Sequence, residues 1–529
     1  MQSAELSFPR VLGILVLAGA LMAAGASDVQ AQDESATVVG TVQTADGAPA
    51  QGVNVRLEDT QLGSVTDEDG RYEIVGVEPG TYALLVTSVG LETHRQEITA
   101  RADETTEVDP ITLNRTVAEL QELIVTAPGQ DDFTAEYVSP SLHLQSPLIE
   151  TPQNIQVVTG SLLEEQQEPT TRDQIVRNVS GASRGEHWGH FARIYMRGSR
   201  IPAFRNGMNV SSAWGPLAQD ASMIDRVEFV KGPAGFMMAN GEPGGFYNVV
   251  TEKPTGATRR SASLSFGSFE SYRATMDLDG RLDEDGTWLY RLNLMGENQN
   301  THVQHDYHDR YAISPVVTYN LSPRTSITAE YTYQYAEYLS PGAGYQFSAK
   351  GYKDVPRDFT IADPELDPTA MTDHSGFLYL NHRLSENWDL TGKVAYFDYR
   401  VDGTSLWPAS LDSSGTMVRG QSIWDSHLEN KQGQLFVRGN VATGSVGHQV
   451  LAGLDMSDKH HLADFGQWRA LTSSQPFNIY DPAYGIIEHD SMTTTFDYES
   501  DLRSRATWDE EQRHTALYVQ DELRFWGDR

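Results

Sequence analysis

Cysteine is missing altogether from the 529 residues. That excludes a disulfide scaffold, a thiolate metal site and a thiol nucleophile, and it suits an envelope protein that crosses a compartment where stray disulfides form. Basic residues are scarce: 39 Lys and Arg stand against 73 Asp and Glu, a formal net charge of −34. Phosphate binding needs a basic face, so nucleic acid is excluded as a partner. Self-repulsion of this size is better tolerated where salt screens it, which points to saline surroundings. Beyond the first 31 residues no stretch reaches about 18 apolar residues in a row, so the mature chain has no spanning helix. No Ser-His-Asp, His-Glu-x-x-His or paired-carboxylate pattern stands out, and the Walker spacing ending in Gly-Lys-Ser/Thr is absent. Nothing therefore reads as an enzyme, and neither a cofactor nor a bound metal is expected.

What is present begins with a leader. Arg10 supplies a positive charge, Val11 to Ala24 an apolar run, and Val29-Gln30-Ala31 a small-residue cleavage site, so residues 1–31 read as a secretory signal peptide. Residues 37–114 then change to short alternating strands, VVGTVQ, VNVRLE, RYEIVGV and TYALLVTSV, separated by turns at Asp46-Gly47, Asp69-Gly70 and Pro79-Gly80. That spacing predicts a small β-sandwich. Gly40, Gly47, Pro49, Gly52, Thr66-Asp67, Asp69-Gly70, Tyr72 and Pro79-Gly80 are similar in pattern to the carboxypeptidase regulatory-like domain, with no catalytic group among them. The carboxylates Asp67, Glu68 and Asp69 read as turn caps rather than calcium ligands.

The most informative stretch is Ile224 to Thr251, IDRVEFVKGPAGFMMANGEPGGFYNVVT. A Val- and Phe-rich strand runs into Gly232-Pro233 and then a loop with Gly235, Gly241, Gly244 and Gly245. Glycines that accept positive φ, with Pro233 and Pro243 fixing φ near −65°, make a rigidly bent loop. Asp225-Arg226-Val227-Glu228, Lys231-Gly232-Pro233-Ala234-Gly235, Gly241-Glu242-Pro243-Gly244-Gly245, Asn248 and Lys253-Pro254 resemble the plug signature of TonB-dependent outer-membrane receptors. The resemblance implies a plug over 141–254. Its first strand and helix fall at Thr151 to Thr159 and Leu162 to Gln166, another short helix begins at Asp173, and a strand ends at Ile194-Tyr195-Met196-Arg197-Gly198.

Upstream, Leu120-Gln121-Glu122-Leu123-Ile124-Val125-Thr126-Ala127 is a β-prone run between flexible flanks, able to add to the edge of a partner's sheet through main-chain hydrogen bonds. By sequence and position residues 120–127 resemble the TonB box, with Glu122, Leu123, Ile124, Val125, Thr126 and Ala127 as the donated strand. By the same resemblance Arg197 and Lys231 are expected to lie against wall glutamates as plug-to-barrel locks.

Residues 258–529 read as a series of two-residue alternations. Trp288, Tyr290, Leu292 and Leu294 oppose Arg291, Asn293 and Glu297; Ile327, Ala329, Tyr331, Tyr333 and Tyr335 oppose Thr328, Glu330, Thr332 and Gln334. Apolar outside, polar inside, tight turns such as Leu321 to Arg324, and long polar loops near Glu337 to Asp373, Arg400 to Glu429 and Ser457 to Arg513 predict part of a transmembrane antiparallel β-barrel. About nine or ten strands can be counted, against about 22 in the family's barrel, so further wall strands are expected past Arg529. The fold class is thus mainly β: sandwich, α+β plug and partial barrel. His460 and His461 are expected in a solvated surface loop.

The resemblance to ferric-siderophore receptors of this family, carried chiefly by the Thr151 to Ile155 and Gly241 to Gly245 matches, implies import of a ferric siderophore across the outer membrane. The partners would be the TonB energy-coupling protein, the siderophore and outer-membrane lipid, with plug and N-terminal domain reaching the periplasm. Ligand contacts carried over by position are Arg184, His187, Trp188, Arg200 and Trp214. Arginine offers a planar fork to an oxygen-rich chelate and tryptophan a broad apolar face. The alternatives are an oligosaccharide, haem or cobalamin importer of the same family, or a non-transporting surface sensor or adhesin.

Overall fold

The computed structural model describes residues 35–525 except 45–48, 51, 59, 61, 68, 88–93, 103, 114–132, 168, 172–174, 186–187, 234–237, 239–240, 445, 472, 474 and 488–495. The leader at 1–31 and the strand-donating segment at 120–127 lie outside the described residues. Two compact units are separated within 23–130 and 131–529. No helix among the described residues is long and apolar enough to cross a membrane.

The first unit is the expected sandwich. Ala36–Thr44 centres one sheet, antiparallel to Arg71–Val77 and parallel to Thr105–Glu107 and Ile111–Leu113. Gly63–Val65, Asn54–Leu57, Gly80–Thr87 and His94–Ala100 form the other, antiparallel in that order. Period-two alternation turns Val38, Val55, Leu57, Val77, Leu84 and Val86 inward, where all six are fully buried. Asp67 caps the turn before the third long strand: its Oδ1 accepts the N–H groups of Asp69 and Arg71 at 3.0 and 2.8 Å. Gly70 there has φ +72°, and a Cβ would lie 2.4 Å from the Val42 carbonyl oxygen.

The plug is built on a five-stranded sheet ordered Met208–Asn209, Ala203–Arg205, Gly245–Thr251, Ile224–Lys231, Asn154–Thr159. The signature stretch supplies its two central strands, which bury Val227, Phe229, Tyr247 and Val249 on one face and Val230 and Phe246 on the other. The helix Gly160–Glu165 starts where the Thr159 side chain accepts the Leu162 N–H at 3.2 Å. A one-turn 3-10 helix, Ile175–Asn178, stands where a further short helix was expected. The loop between the central strands closes on Gly245, at φ +107° and with Val230 O 2.0 Å from any Cβ, so only glycine fits.

The wall is one antiparallel meander of ten long strands from Arg259–Gly267 to Trp508–Phe525, each paired to its sequence neighbour. Four of its turns lie at one end, between Arg281 and Trp288, Ser322 and Thr325, Ser385 and Trp388, and Thr443 and Val446. The opposite end carries the two long excursions, 339–368 and 465–507. Glu330, Thr332 and Gln334 are buried inward while Ala329 and Tyr331 are exposed outward, as the alternation predicts.

Two expectations are corrected. Arg400 to Glu429 is not a loop: Trp388–Leu411 and Thr416–Thr443 run as a continuous hairpin through it, turning only at 412–415. Its far half lies past the reach of a bilayer strand of about 9–11 residues and is covered instead by the two excursions. Leu339, Phe359, Ile361 and Leu366 pack there with Leu406, Met417, Phe477 and Ile479. Arg419 meets Asp363 beneath them at 3.2 Å. Likewise His460 and His461 belong to the strand Val446–Asp464. His461 is buried with Nε2 2.9 Å from Ser426 Oγ, and His460 faces outward to Asp509 at 2.8 Å. A polar, aromatic-poor composition reads as loop when the residues that cover it are far away in sequence.

Because Gly70 combines a positive φ with a carbonyl at contact distance, Gly70→Ala is expected to destabilise the sandwich by about 1–3 kcal/mol. Urea unfolding followed by circular dichroism checks this; a midpoint equal to the parent's would show that the turn relaxes freely.

Candidate functional site: the plug and its wall

The plug meets the wall through a line of ionic contacts that the sequence did not disclose. Arg205 and Asp373 are each about 2% exposed and lie 3.4 Å apart, with Arg205 Nη1 also donating to Ser375 Oγ at 2.6 Å. Asp220, fully buried, accepts two bonds from the wall's Arg273 at 2.6 and 2.9 Å, and Arg273 continues to Glu297 at 3.1 Å. Burial alone would raise the Asp220 carboxyl; the Arg273 guanidinium outweighs it and holds the group below its ordinary range. Glu330, buried at the middle of its wall strand, gathers Thr251 Oγ1 at 2.6 Å, Lys253 Nζ at 2.7 Å, Tyr379 OH at 3.2 Å and Asn206 Nδ2 at 3.4 Å. Arg291 bridges Glu252 at 2.5 Å and Asp277 at 2.8 Å. Each of these buried charges thus has an opposite charge beside it, the condition for keeping it out of water.

The inward phase of Glu330 and Arg291 was legible from alternation. Their partners were not, since Thr251 is 79 residues from Glu330 and Arg205 is 168 from Asp373. The available signal was the run Phe204-Arg205-Asn206-Gly207, a tight turn with charged and amide side chains where a plug loop must meet the wall.

The expected lock pair is placed differently. Lys231 ends the central strand opposite Asn154 and Gly245, so its side chain lies across the plug itself. Nζ donates to Gln156 Oε1, and to Ser180 Oγ at 2.7 Å. Burial, and then the neighbouring Arg197, lower its pKa. Arg197 sits at φ +51° in an exposed turn with its guanidinium beside Gly232. Among the described residues neither meets a wall glutamate.

At the long-loop end the plug presents rings. Trp188 stands edge-on to the wall's Trp424, ring centroids 4.6 Å apart, and Trp424 is fully buried. His190 lies 5.3 Å from the same indole, and its Nε2 is 3.0 Å from the Trp214 carbonyl. Trp214 packs on Phe465, Trp508 and His461 at 4.7, 5.3 and 5.7 Å, and Tyr399 donates to its carbonyl at 3.2 Å. The structure therefore brings Trp188 and Trp214 into one aromatic cluster and adds Trp424, Tyr399, His190 and Trp508, which sequence reasoning missed. Arg200 is tied to this loop, donating to the carbonyls of Ser212 at 3.2 Å and Ala213 at 3.5 Å, with burial and then Arg193 lowering its pKa. Arg184 is exposed at the end of Ala182–Arg184, opposite Ile194. His187 lies outside the described residues.

Asp373→Ala leaves Arg205 buried without its counter-charge, so it should loosen plug seating by about 3–5 kcal/mol, whereas exchanging both residues for apolar ones of similar volume should cost much less. Protease sensitivity of the plug in urea, compared between the single and double variants, reads this; equal losses would show that the pair is not coupled.

Residues 37–114 match the carboxypeptidase regulatory-like domain and residues 147–246 the TonB-dependent receptor plug domain. The metal-pseudopaline receptor of Pseudomonas aeruginosa is 27% identical over 380 residues, which cover 70% of this chain and 53% of that protein. The ferrioxamine B receptor of Salmonella typhimurium is 24% identical over 421 residues, covering 76% and 56% respectively. Among solved structures, the ferripyoverdine receptor of the outer membrane of Pseudomonas aeruginosa superimposes with a TM-score of 0.64 at 18% identity, over 78% of this chain and 54% of that one. The chain spans about half the length of the curated relatives it matches. A plug seated by ion pairs inside an antiparallel wall, the two domain matches and these relatives together make the chain similar to the TonB-dependent receptors of the ferric-siderophore type.

Proposed function

We propose that the receptor imports a metal chelate, specifically a ferric siderophore, across the outer membrane, with energy delivered through the TonB protein. The observation that carries this reading is the coexistence of a plug held by paired charges with an aromatic cluster at the long-loop end. Ion pairs hold the plug in place yet exchange for water when it moves. The rings offer a broad apolar contact to a chelate arriving from outside. Trp188 and Trp214 are the principal ligand contacts in this reading; Arg184, being exposed, supplies a charged fork. Arg200, with its donors already on two carbonyls, shapes the Trp214 loop and adds charge near it.

On the other side, Glu122, Leu123, Ile124, Val125, Thr126 and Ala127 form the strand that TonB takes up by sheet extension. Arg197 and Lys231 lie side by side on the plug, and in this reading they serve as the lock that holds it closed until the upstream strand is pulled. Receptors named for metal-pseudopaline, ferrioxamine B and ferripyoverdine among the relatives support a metal-chelate cargo.

Deleting residues 122–127 from the full-length receptor should abolish uptake of labelled ferric chelate by cells while equilibrium binding persists; undiminished uptake would refute the coupling. Trp214→Ala should weaken binding of the accepted chelate by about 10- to 100-fold, or about 1.4–2.8 kcal/mol, measured by tryptophan quenching across a panel of ferric siderophores. Unchanged affinity would remove the aromatic cluster from the ligand site.

A further inference from the structure

Glu228 is a fully buried carboxylate on the plug's central strand, and among the described residues no ion pair within 4 Å satisfies it. Its charge is carried by three hydrogen bonds. Asn248 Nδ2 donates at 2.8 Å, Ser139 Oγ at 2.9 Å, and the Ser139 backbone N–H supplies the third. Two of the three come from the segment that opens the plug. Other contacts of that segment include Arg226 donating to the Tyr137 carbonyl at 3.3 Å, Leu148 N–H to the Glu136 carbonyl at 2.8 Å, Asn248 Nδ2 to Ser141 Oγ at 2.9 Å, and Ser146 Oγ to the wall's Glu522 at 2.6 Å. Val138, Leu142 and Leu144 pack with Phe204, Val230 and Phe246 over the same sheet.

The position of the clasp matters because of what precedes it. Only residues 128–132 separate Ala127 from Phe133, at most roughly 18 Å of extended chain. If residues 122–127 are the coupled strand, as proposed above, a pull on them reaches Tyr137 to Ser139 through this short connection. We propose that Glu228 is a positioning residue for energised transport: through its clasp on Ser139 it passes the pull on the upstream strand into the plug's central sheet. Peeling Ser139 away leaves a buried carboxylate with a single donor, a state costly enough that the central strand moves with the segment instead. Ile224–Lys231 carries Glu228 and is hydrogen-bonded along its length to Gly245–Thr251, whose Thr251 side chain bonds the wall's Glu330. Force entering at Ser139 therefore arrives at the plug-to-wall seam two strands later. Burial raises the Glu228 pKa against the pull of its donors, in keeping with a carboxylate that depends on them. On the wall side Lys393, buried and without a hydrogen-bond partner among the described residues, is close enough to interact electrostatically with Glu228.

Glu228→Gln keeps the size and one acceptor but removes the charge. In the full-length receptor in a lipid bilayer, pulled through a handle at Gln130→Cys, the first rupture should shift to lower force. In cells, the maximal uptake rate should fall at least 10-fold while the half-saturating chelate concentration stays within twofold. Ser139→Ala, which retains the backbone donor, should give an intermediate shift in both, and it replaces Glu228→Gln if that variant fails to reach the membrane. An unchanged rupture force would overturn the clasp, whatever uptake does. A lowered force with uptake unaltered would overturn its part in transport. The pulling measurement needs no coupling protein, so it stands or falls separately from the deletion of residues 122–127.

Discussion

A charge carried into the interior of a barrel has to meet its opposite there, and this requirement orders most of the molecule. Arg205, Asp220, Glu252 and Lys253 project from the plug into a space with little water access, and the wall answers with Asp373, Arg273, Arg291 and Glu330. Breaking one such pair costs about 3–5 kcal/mol, although the intact pair contributes little net stability over an apolar replacement. The pairs therefore act mainly on geometry. They fix the height and rotation at which the plug sits, because any other seating leaves buried ions unmatched.

Around that belt the two ends of the wall differ in kind. The long-loop end is apolar and aromatic on the inside, and two of its arginines are paired: Arg419 with Asp363 at 3.2 Å, Arg505 with Asp464 at 3.1 Å and with Asp425. Its two excursions are folded over a hydrophobic centre that they share with the far half of the hairpin beneath them. Ring contact rather than free charge dominates what an arriving molecule meets there. In the plug's central sheet the design is reversed: Glu228, with no ion pair among the described residues, depends on hydrogen-bond donors from Ser139 and Asn248.

Much of the architecture could be read in the chain because it is local chemistry. The sandwich follows from period-two alternation and from turns such as Asp67 to Gly70, where a carboxylate cap and a positive-φ glycine leave few alternatives. The plug's centre follows from Gly232 to Gly245, whose glycines are demanded by backbone approach, as at Gly245 against Val230 O. The wall's polar-in, apolar-out phase followed in the same way. What stayed hidden depends on partners far apart in sequence. Residues 400–429 look like a loop until the cover supplied by 339–368 and 477–487 is known, and His461 looks solvated until Trp214 is brought beside it. Lys231 matched a motif, yet its surroundings are set by Gln156 and Ser180 from another part of the plug. Trp188 and Trp214 were legible as residue types, but the wall rings that complete their cluster were not.

The seating of the plug can be measured without touching any of its ion pairs. Met223 of the plug packs against Met295 and Ala312 on adjacent wall strands, all three buried. These 529 residues hold no cysteine, so Met223→Cys combined with Ala312→Cys can be probed with a short thiol cross-linker in the receptor in its membrane. The account predicts efficient cross-linking that fails when either cysteine is moved to an outward position such as Ile313. Absence of the Met223 to Ala312 link in a folded, membrane-inserted receptor would contradict the seated plug and everything argued from it.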